Sequence, residues 1–280
     1  MTPPAFDPAA PRRIGIFDSG VGGLSVLAAI RAQLPDADLL YVADTGHAPY
    51  GDRGEEFVCD RSRRIARFLL GQGAGVLVVA CNTATAAAVA ALRQDGPDLA
   101  IVGVEPGIKP AVALSRTRRV GVLATTGTLA SAKFRRLAED HAAGATLVLQ
   151  PCPGLADAIE ASGTDAADPL DLTQDDEVAA LVDRYCQPLR AAEVDVAVLG
   201  CTHYVFARAH FERALPGVTL LDTAEAVARQ TARLAGPTRR AHPPTMPARL
   251  RAWSSGDPAI LAGFMSRWLH TSPEIEPLAV

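Results

Sequence analysis

Nowhere in this 280-residue chain does an apolar run approach the roughly 20 residues that a membrane helix requires. The opening segment Met1–Arg13 likewise lacks the apolar stretch of a signal peptide, so the expectation is a cytoplasmic protein without a membrane partner. There is no excess of basic charge: the net charge is −4 and the pI about 5.9, which leaves no electrostatic footprint for nucleic acid. Cysteine is sparse and odd in number, five in all, with no Cys-x-x-Cys pair. That disfavours a secreted disulfide framework and a thiol–disulfide redox motif, and it favours reduced thiols. The 23 glycines and 21 prolines show no period, which excludes collagen-like structure. Gly-x-Gly-x-x-Gly, Walker and Gly-x-Ser-x-Gly motifs are all missing, so no organic cofactor is indicated.

What is present is an ordinary globular composition, 49% hydrophobic and 21% charged. A chain of this length buries roughly three quarters of its unfolded surface, enough for one large domain or two modest ones. Short β-branched runs alternate with longer Ala- and Leu-rich stretches. Strands are predicted at Arg13–Phe17, Leu39–Ala43, Gly75–Ala80, Ala100–Val104, Val120–Ala124, Thr146–Gln150, Val194–Leu199, Val218–Leu221 and Leu250–Trp253. Runs such as VLVVA and VAVLG are apolar throughout, as strands covered on both faces must be. Helices are predicted at Leu24–Leu34, Glu55–Gly71, Thr83–Arg93, Thr128–His141, Glu177–Ala192 and Ala224–Leu234, giving an α/β fold with parallel sheets. Ala161–Asp176 and the proline-rich Pro237–Pro247 read as a surface loop and a connector.

The chain also resembles itself. Ile14–Ser19 aligns with Val120–Thr125 at an offset of 106, and Gly75–Thr83 aligns with Asp195–His203 at an offset of 120. Each half thereby carries one cysteine, Cys81 or Cys201, at the carboxyl end of a hydrophobic strand. Ligands of open α/β sheets bind outside that end, so two halves facing each other would bring both thiols to one cleft.

A thiol between a strand end and the first turn of a helix feels the exposed N–H groups and positive end of that helix, which lower its pKa. One such cysteine alone would read as a buried small hydrophobe. The matched pair, each followed by amide or hydroxyl side chains, points to chemistry instead. Cys59 and Cys186 read as helix residues and Cys152 as a loop thiol, all structural. His203 is spaced to orient or exchange a proton with Cys201, and Asp18 could serve Cys81, although an Asp before Ser-Gly also caps helices. Cys81, Cys201 and His203 are zinc-ligand types, but the metal spacings are absent and no metal is assigned. The turn Gly20-Val21-Gly22-Gly23 offers N–H groups to an anion. Acid and base groups on two sides of a ligand suit removal of a proton from one face of a carbon and its return to the other.

The runs Ile16-Phe17-Asp18-Ser19-Gly20-Val21-Gly22-Gly23-Leu24, Ala43-Asp44-Thr45 through Pro49-Tyr50-Gly51, Ala80-Cys81-Asn82-Thr83-Ala84 and Leu199-Gly200-Cys201-Thr202-His203-Tyr204 resemble the glutamate racemases. Gly103–Pro106, Ala124–Thr128 and Ser255–Pro258 extend the resemblance over about Arg13 to Leu269. It implies two flavodoxin-like domains with the active site between them, an outer one of residues 1–104 and 209–280 and an inserted one of 105–208. It further implies cofactor-independent interconversion of L- and D-glutamate for peptidoglycan synthesis, and a homodimer. Cys81 would serve D-glutamate with help from Asp18, and Cys201 would serve L-glutamate with help from His203. Glu160, after Cys152-Pro153, matches a family carboxylate near the second cysteine. Ser19, Tyr50, Gly51, Asn82, Thr83 and Thr202 match substrate contacts, with Thr125 and Thr128 as further candidates at a carboxylate; Asp18 and His203 belong to the same set. Two departures stand out: small residues at Gly46 and Ala48, and Val205-Phe206 in place of the Pro-Leu that commonly follows the second cysteine motif. A racemase acting on aspartate, another amino acid or a hydantoin, and a binding protein that keeps the fold without turnover, are the competing readings.

Overall fold

The computed structural model describes residues 13–142, 144–165, 176–236 and 249–280. The chain opens with β1 (Arg13–Asp18), α1 (Leu24–Gln33), β2 (Leu39–Ala43), α2 (Glu55–Gly71), β3 (Ala74–Val79), α3 (Asn82–Asp95) and β4 (Ala100–Gly103). It continues through α4 (Ile108–Leu114), β5 (Arg119–Ala124), α5 (Thr126–Ala130), α6 (Ala132–His141), β6 (Thr146–Pro151), α7 (Leu155–Asp165), α8 (Asp176–Ala191), β7 (Val196–Leu199), α9 (Arg208–Ala214) and β8 (Thr219–Leu221). The last elements are α10 (Ala224–Ala235), β9 (Leu250–Ser254), α11 (Pro258–Trp268) and β10 (Ile275–Pro277).

Two all-parallel sheets result, ordered β10-β9-β2-β1-β3-β4 and β6-β5-β7-β8. The sequence repeat has become a repeat of topology. β6-β5-β7-β8 reproduces β2-β1-β3-β4, and the register pairs Ile14 with Val76 just as it pairs Val120 with Val196. Both sheets have the 2-1-3-4 order of doubly wound flavodoxin-like folds, whose ligand site lies where the winding reverses, between the first and third strands. Those strands end at Asp18 and Val79 in one sheet and at Ala124 and Leu199 in the other. The second sheet includes β8, and the chain rejoins the elements of the first sheet at α10.

Strand alternation sends successive side chains to opposite faces. Ile14, Ile16, Tyr41, Val76 and Val78 enter a core that also holds Leu123, Ala197 and Leu199 of the second sheet, so the two sheets share one buried apolar interior. Phe17, Leu40, Val42, Leu77 and Val79 face α2 and α3, and Val120, Val122, Val196 and Val198 face α4 and α6. Both faces of the central strands are therefore covered, the physical reason for their unbroken apolarity.

Two segments differ from expectation in this part of the fold. The helix expected over Thr128–His141 is two, because Ser131 leaves the helical conformation and caps α6 by accepting the Phe134 N–H at 3.0 Å. The expected loop at 161–176 begins as the last turn of α7; residues 166–175, like the connector at 237–247 and the opening segment 1–12, lie outside the described residues. Among the described residues no helix is long and apolar enough to cross a membrane.

Candidate active site

The strand ends bring Cys81 and Cys201 into the lining of one cleft of about 400 Å³, together with Ser19, Tyr50, Gly51, Asn82, Thr83, Thr125, Glu160, Thr202 and His203. Asp18 and Thr128 stand buried just behind that lining. Cys81 comes from the first sheet and Cys201 from the second, each two residues beyond a central strand.

Cys81 is the N-cap of α3, and its sulfur accepts the Ala84 N–H at 3.4 Å. Ser19 Oγ lies 3.5 Å from the same sulfur. The helix end does not make this thiol acidic in the unliganded protein. Burial and the nearby Asp18 carboxylate outweigh the Ser19 and Ala84 hydrogen bonds and push Cys81 up to about 12. The favourable donors are legible in the sequence; the cost of desolvating the thiolate is not. Asp18 itself accepts hydrogen bonds from the Gly20 N–H at 2.8 Å and the Thr202 hydroxyl at 3.1 Å. Burial raises its pKa above the usual carboxylate range against the opposing pull of His203.

Cys201 Sγ lies 3.6 Å from His203 Nδ1, and His203 Nε2 lies 2.7 Å from Glu160 Oε1. Nε2 is thus paired with the carboxylate while Nδ1 faces the thiol, so the ring bridges the two groups. Burial opposes charge on the ring, yet the Cys201 sulfur and Glu160 together hold its pKa well above the ordinary imidazole value. Glu160 reaches the site from α7, a helix absent from the sequence reading.

The glycine turn does bind an anion, but the anion is the chain's own. Val21 N–H donates to Glu160 Oε1 at 2.8 Å, Gly20 N–H goes to Asp18, and Gly22 N–H approaches His203 Nε2 at 3.3 Å. Glycine is required by close approach: a Cβ on Gly20 would sit 1.7 Å from Glu160 Oε1, and one on Gly22 would sit 2.5 Å from His203 Nδ1.

The rest of the cleft offers neutral donors and acceptors. Thr83 and Thr125 hydroxyls are 3.0 Å apart, and Thr125 Oγ1 donates to Thr128 Oγ1 at 2.9 Å while capping α5. Asn82 Oδ1 is buried without a hydrogen-bond partner among the described residues, an acceptor left for a ligand. Tyr50 donates its hydroxyl to Asp44, whose two oxygens take a bidentate pair from Arg61 at 3.0 and 2.7 Å. Asp44 and Arg61 are both buried, so this ion pair fixes the turn that carries Tyr50 and Gly51 into the cleft. Asp44 stands in one of the motifs quoted above, but Arg61, 17 positions on and inside α2, carries no sequence signal. Asp157, one helical turn before Glu160, also lines the cleft and had no sequence signal. Cys59 and Cys186 lie in α2 and α8, and Cys152 follows β6 in the core, all outside the cleft lining.

Residues 24–231 match the family model described as Asp/Glu/Hydantoin racemase. The chain is 52% identical over 229 residues to the glutamate racemase of Pseudomonas syringae pv. tomato, covering 81% of this chain and 80% of that one. It is 50% identical over 246 residues to that of Ectopseudomonas mendocina, covering 87% and 89%. Among solved structures, glutamate racemase RacE1 of Bacillus anthracis superimposes with a TM-score of 0.82 at 29% identity, over 96% of this chain and 98% of that one. The Escherichia coli glutamate racemase, solved with L-glutamate and the activator UDP-MurNAc-Ala, superimposes at 0.81 with 33% identity, over 96% and 99%.

Proposed function

The chain belongs to the glutamate racemases of the Asp/Glu/Hydantoin racemase family, and from that premise we propose that it interconverts L- and D-glutamate with two cysteines and no cofactor, supplying D-glutamate for peptidoglycan. The observation that carries this reading is the placement of Cys81 and Cys201, each beyond an equivalent strand of a repeated topology, in the lining of one cleft. An α-carbon held between two thiols loses its proton on one face, and the planar carbanion so formed is reprotonated on the other, which inverts the centre.

In the L-to-D direction the His203 imidazolium, stabilised by Glu160, holds the Cys201 proton on Nδ1, and the thiolate removes the α-proton. Cys81, a neutral thiol at rest, then donates from the opposite face. In the D-to-L direction Cys81 must become the base, and its high resting pKa means that the ligand has to help. The α-ammonium of the bound amino acid supplies the missing positive charge, with Asn82 Oδ1 as its acceptor. Asp18 holds the Cys81 side and Glu160 the Cys201 side. Because the α-proton is only weakly acidic, charge developing on the α-carboxylate needs preorganised donors in a water-poor site. The hydroxyls of Ser19, Thr83, Thr125 and Thr202 and the backbone N–H groups at the α3 and α5 termini provide them, Gly51 allows the close approach, and Thr128 orients Thr125. A cytoplasmic homodimer, with an inserted domain that begins near residue 105, belongs to the same proposal.

The test is incubation of the reduced protein with each glutamate enantiomer in deuterated water, with and without UDP-MurNAc-Ala, following circular dichroism and the α-proton signal. Racemisation with deuterium incorporation, lost in both Cys81→Ala and Cys201→Ala, is the expected result. Turnover of aspartate but not glutamate would transfer the site to another amino acid, and inertness toward both would leave a binding protein.

A further inference from the structure

The charges around the cleft are unlike those expected of a pocket for a dicarboxylate. Among the described residues that line it none is Arg or Lys, and His203 is its one cationisable group. Two carboxylates, Asp157 and Glu160, line it from the same helix. Three positions apart, they share a face of α7, where like charges destabilise a helix. Glu160 has its compensation in the Val21 N–H and His203. Asp157 has no hydrogen-bond or ion-pair partner among the described residues and is exposed at the rim. Asp52, in the turn that follows Tyr50 and Gly51, lies close enough for its charge to act on Asp157 from the other wall. The groups facing Asp157 are thus Glu160, His203 and Asp52. Desolvation, then Glu160, raise its pKa while His203 lowers it, the sign of a carboxylate whose charge the surroundings oppose.

We infer that Asp157 tunes substrate affinity in the reaction proposed above: an uncompensated carboxylate at the mouth of the cleft that opposes entry of the anionic amino acid and raises its KM. Glutamate carries a net charge of −1 at neutral pH, and its two carboxylates meet neutral donors inside and negative charge at the rim. The balance sets weak ground-state binding without touching the reacting atoms, so the effect falls on KM and leaves kcat in place. A rim charge interacting across solvent is screened by salt, with a Debye length of about 10 Å at 0.1 M.

KM and kcat for both glutamate enantiomers, measured at low and high ionic strength in the wild type, Asp157→Asn and Asp157→Glu, test this. Asp157→Asn is expected to lower KM about two- to fivefold at low salt with kcat nearly unchanged, the difference shrinking as salt is raised, while Asp157→Glu keeps the wild-type KM. An unchanged KM, or a higher one as a lost ammonium contact would give, overturns the inference. Failure of the racemase reading is distinguishable: it appears as a wild type that does not turn over glutamate, and the same comparison is then read in calorimetric binding of D-glutamate.

Discussion

Thr202 donates its hydroxyl to Asp18 at 3.1 Å, so the residue beside one cysteine holds the carboxylate that neighbours the other. The two half-sites are cross-linked a second time where Val21 N–H meets Glu160 at 2.8 Å. Asp18 and Glu160 therefore each take part of their orientation from the opposite half of the molecule. Thr202→Val keeps shape and removes the donor. It is expected to cost about 1–3 kcal/mol in unfolding free energy, the price of a buried acceptor left short of a bond, and to lower kcat in both directions. Thr202→Ser should restore both, as followed by denaturant unfolding and by the racemisation assay.

The glycine turn gives a sharper test of the same coupling. Gly20→Ala drives a methyl into Glu160 Oε1. Glu160 must leave, which frees His203 and opens the second cross-link. Loss of at least a hundredfold in kcat is expected when an orienting contact of this kind is destroyed. Gly154→Ala is the control: φ there is +75° with open space around the added carbon, so it should cost about 1 kcal/mol in stability and leave kcat intact. Equal losses of activity in the two variants would dissociate the turn from catalysis.

The central strands were legible because burial on both faces writes an unbroken apolar run, and the cysteine pair was legible because the repeat of topology survives as a repeat of sequence. The terminal β10 was missed: three residues, Ile275–Pro277, with a glutamate and a proline, carry no such signal. α7 was missed because Ser162-Gly163 and the acidic residues beyond it read as loop, and with it went the helix that delivers Glu160 and Asp157. Two further features are long-range. The Asp44–Arg61 pair joins a strand end to a helix, and the elevated Cys81 pKa comes from burial by both sheets; neither is a property of neighbouring residues.

Thiol reactivity should separate the two cysteines. With its pKa pushed up to about 12, Cys81 of the substrate-free protein is a neutral thiol at pH 7. Its alkylation by iodoacetamide, read by mass spectrometry of the Cys81 peptide, is expected to rise about tenfold per pH unit from 7 to 9, since only the thiolate reacts. A plateau near neutrality would show a thiolate already formed. Asp18→Asn removes the adjacent negative charge and should increase the rate at fixed pH.

The pH dependence of stability has two limbs with opposite signs. Burial alone would raise the pKa of Asp44, but the hydrogen bonds and charge of Arg61, with help from Ser255 and Tyr50, bring it below the usual carboxylate value. A depressed carboxylate contributes stability above its unfolded pKa near 4 that is lost as pH falls through the folded value. His203 is raised well above 6.5, so its contribution is complete below that pH and is lost as pH rises through the folded value. Thermal unfolding should therefore show a maximum between the two limbs. Asp44→Asn is expected to flatten the acid limb and to destabilise the protein by about 3–5 kcal/mol at pH 7, because Arg61 is left buried without its counter-charge. His203→Gln should flatten the alkaline limb alone, and an acid limb unchanged in Asp44→Asn would assign that limb to a different carboxylate.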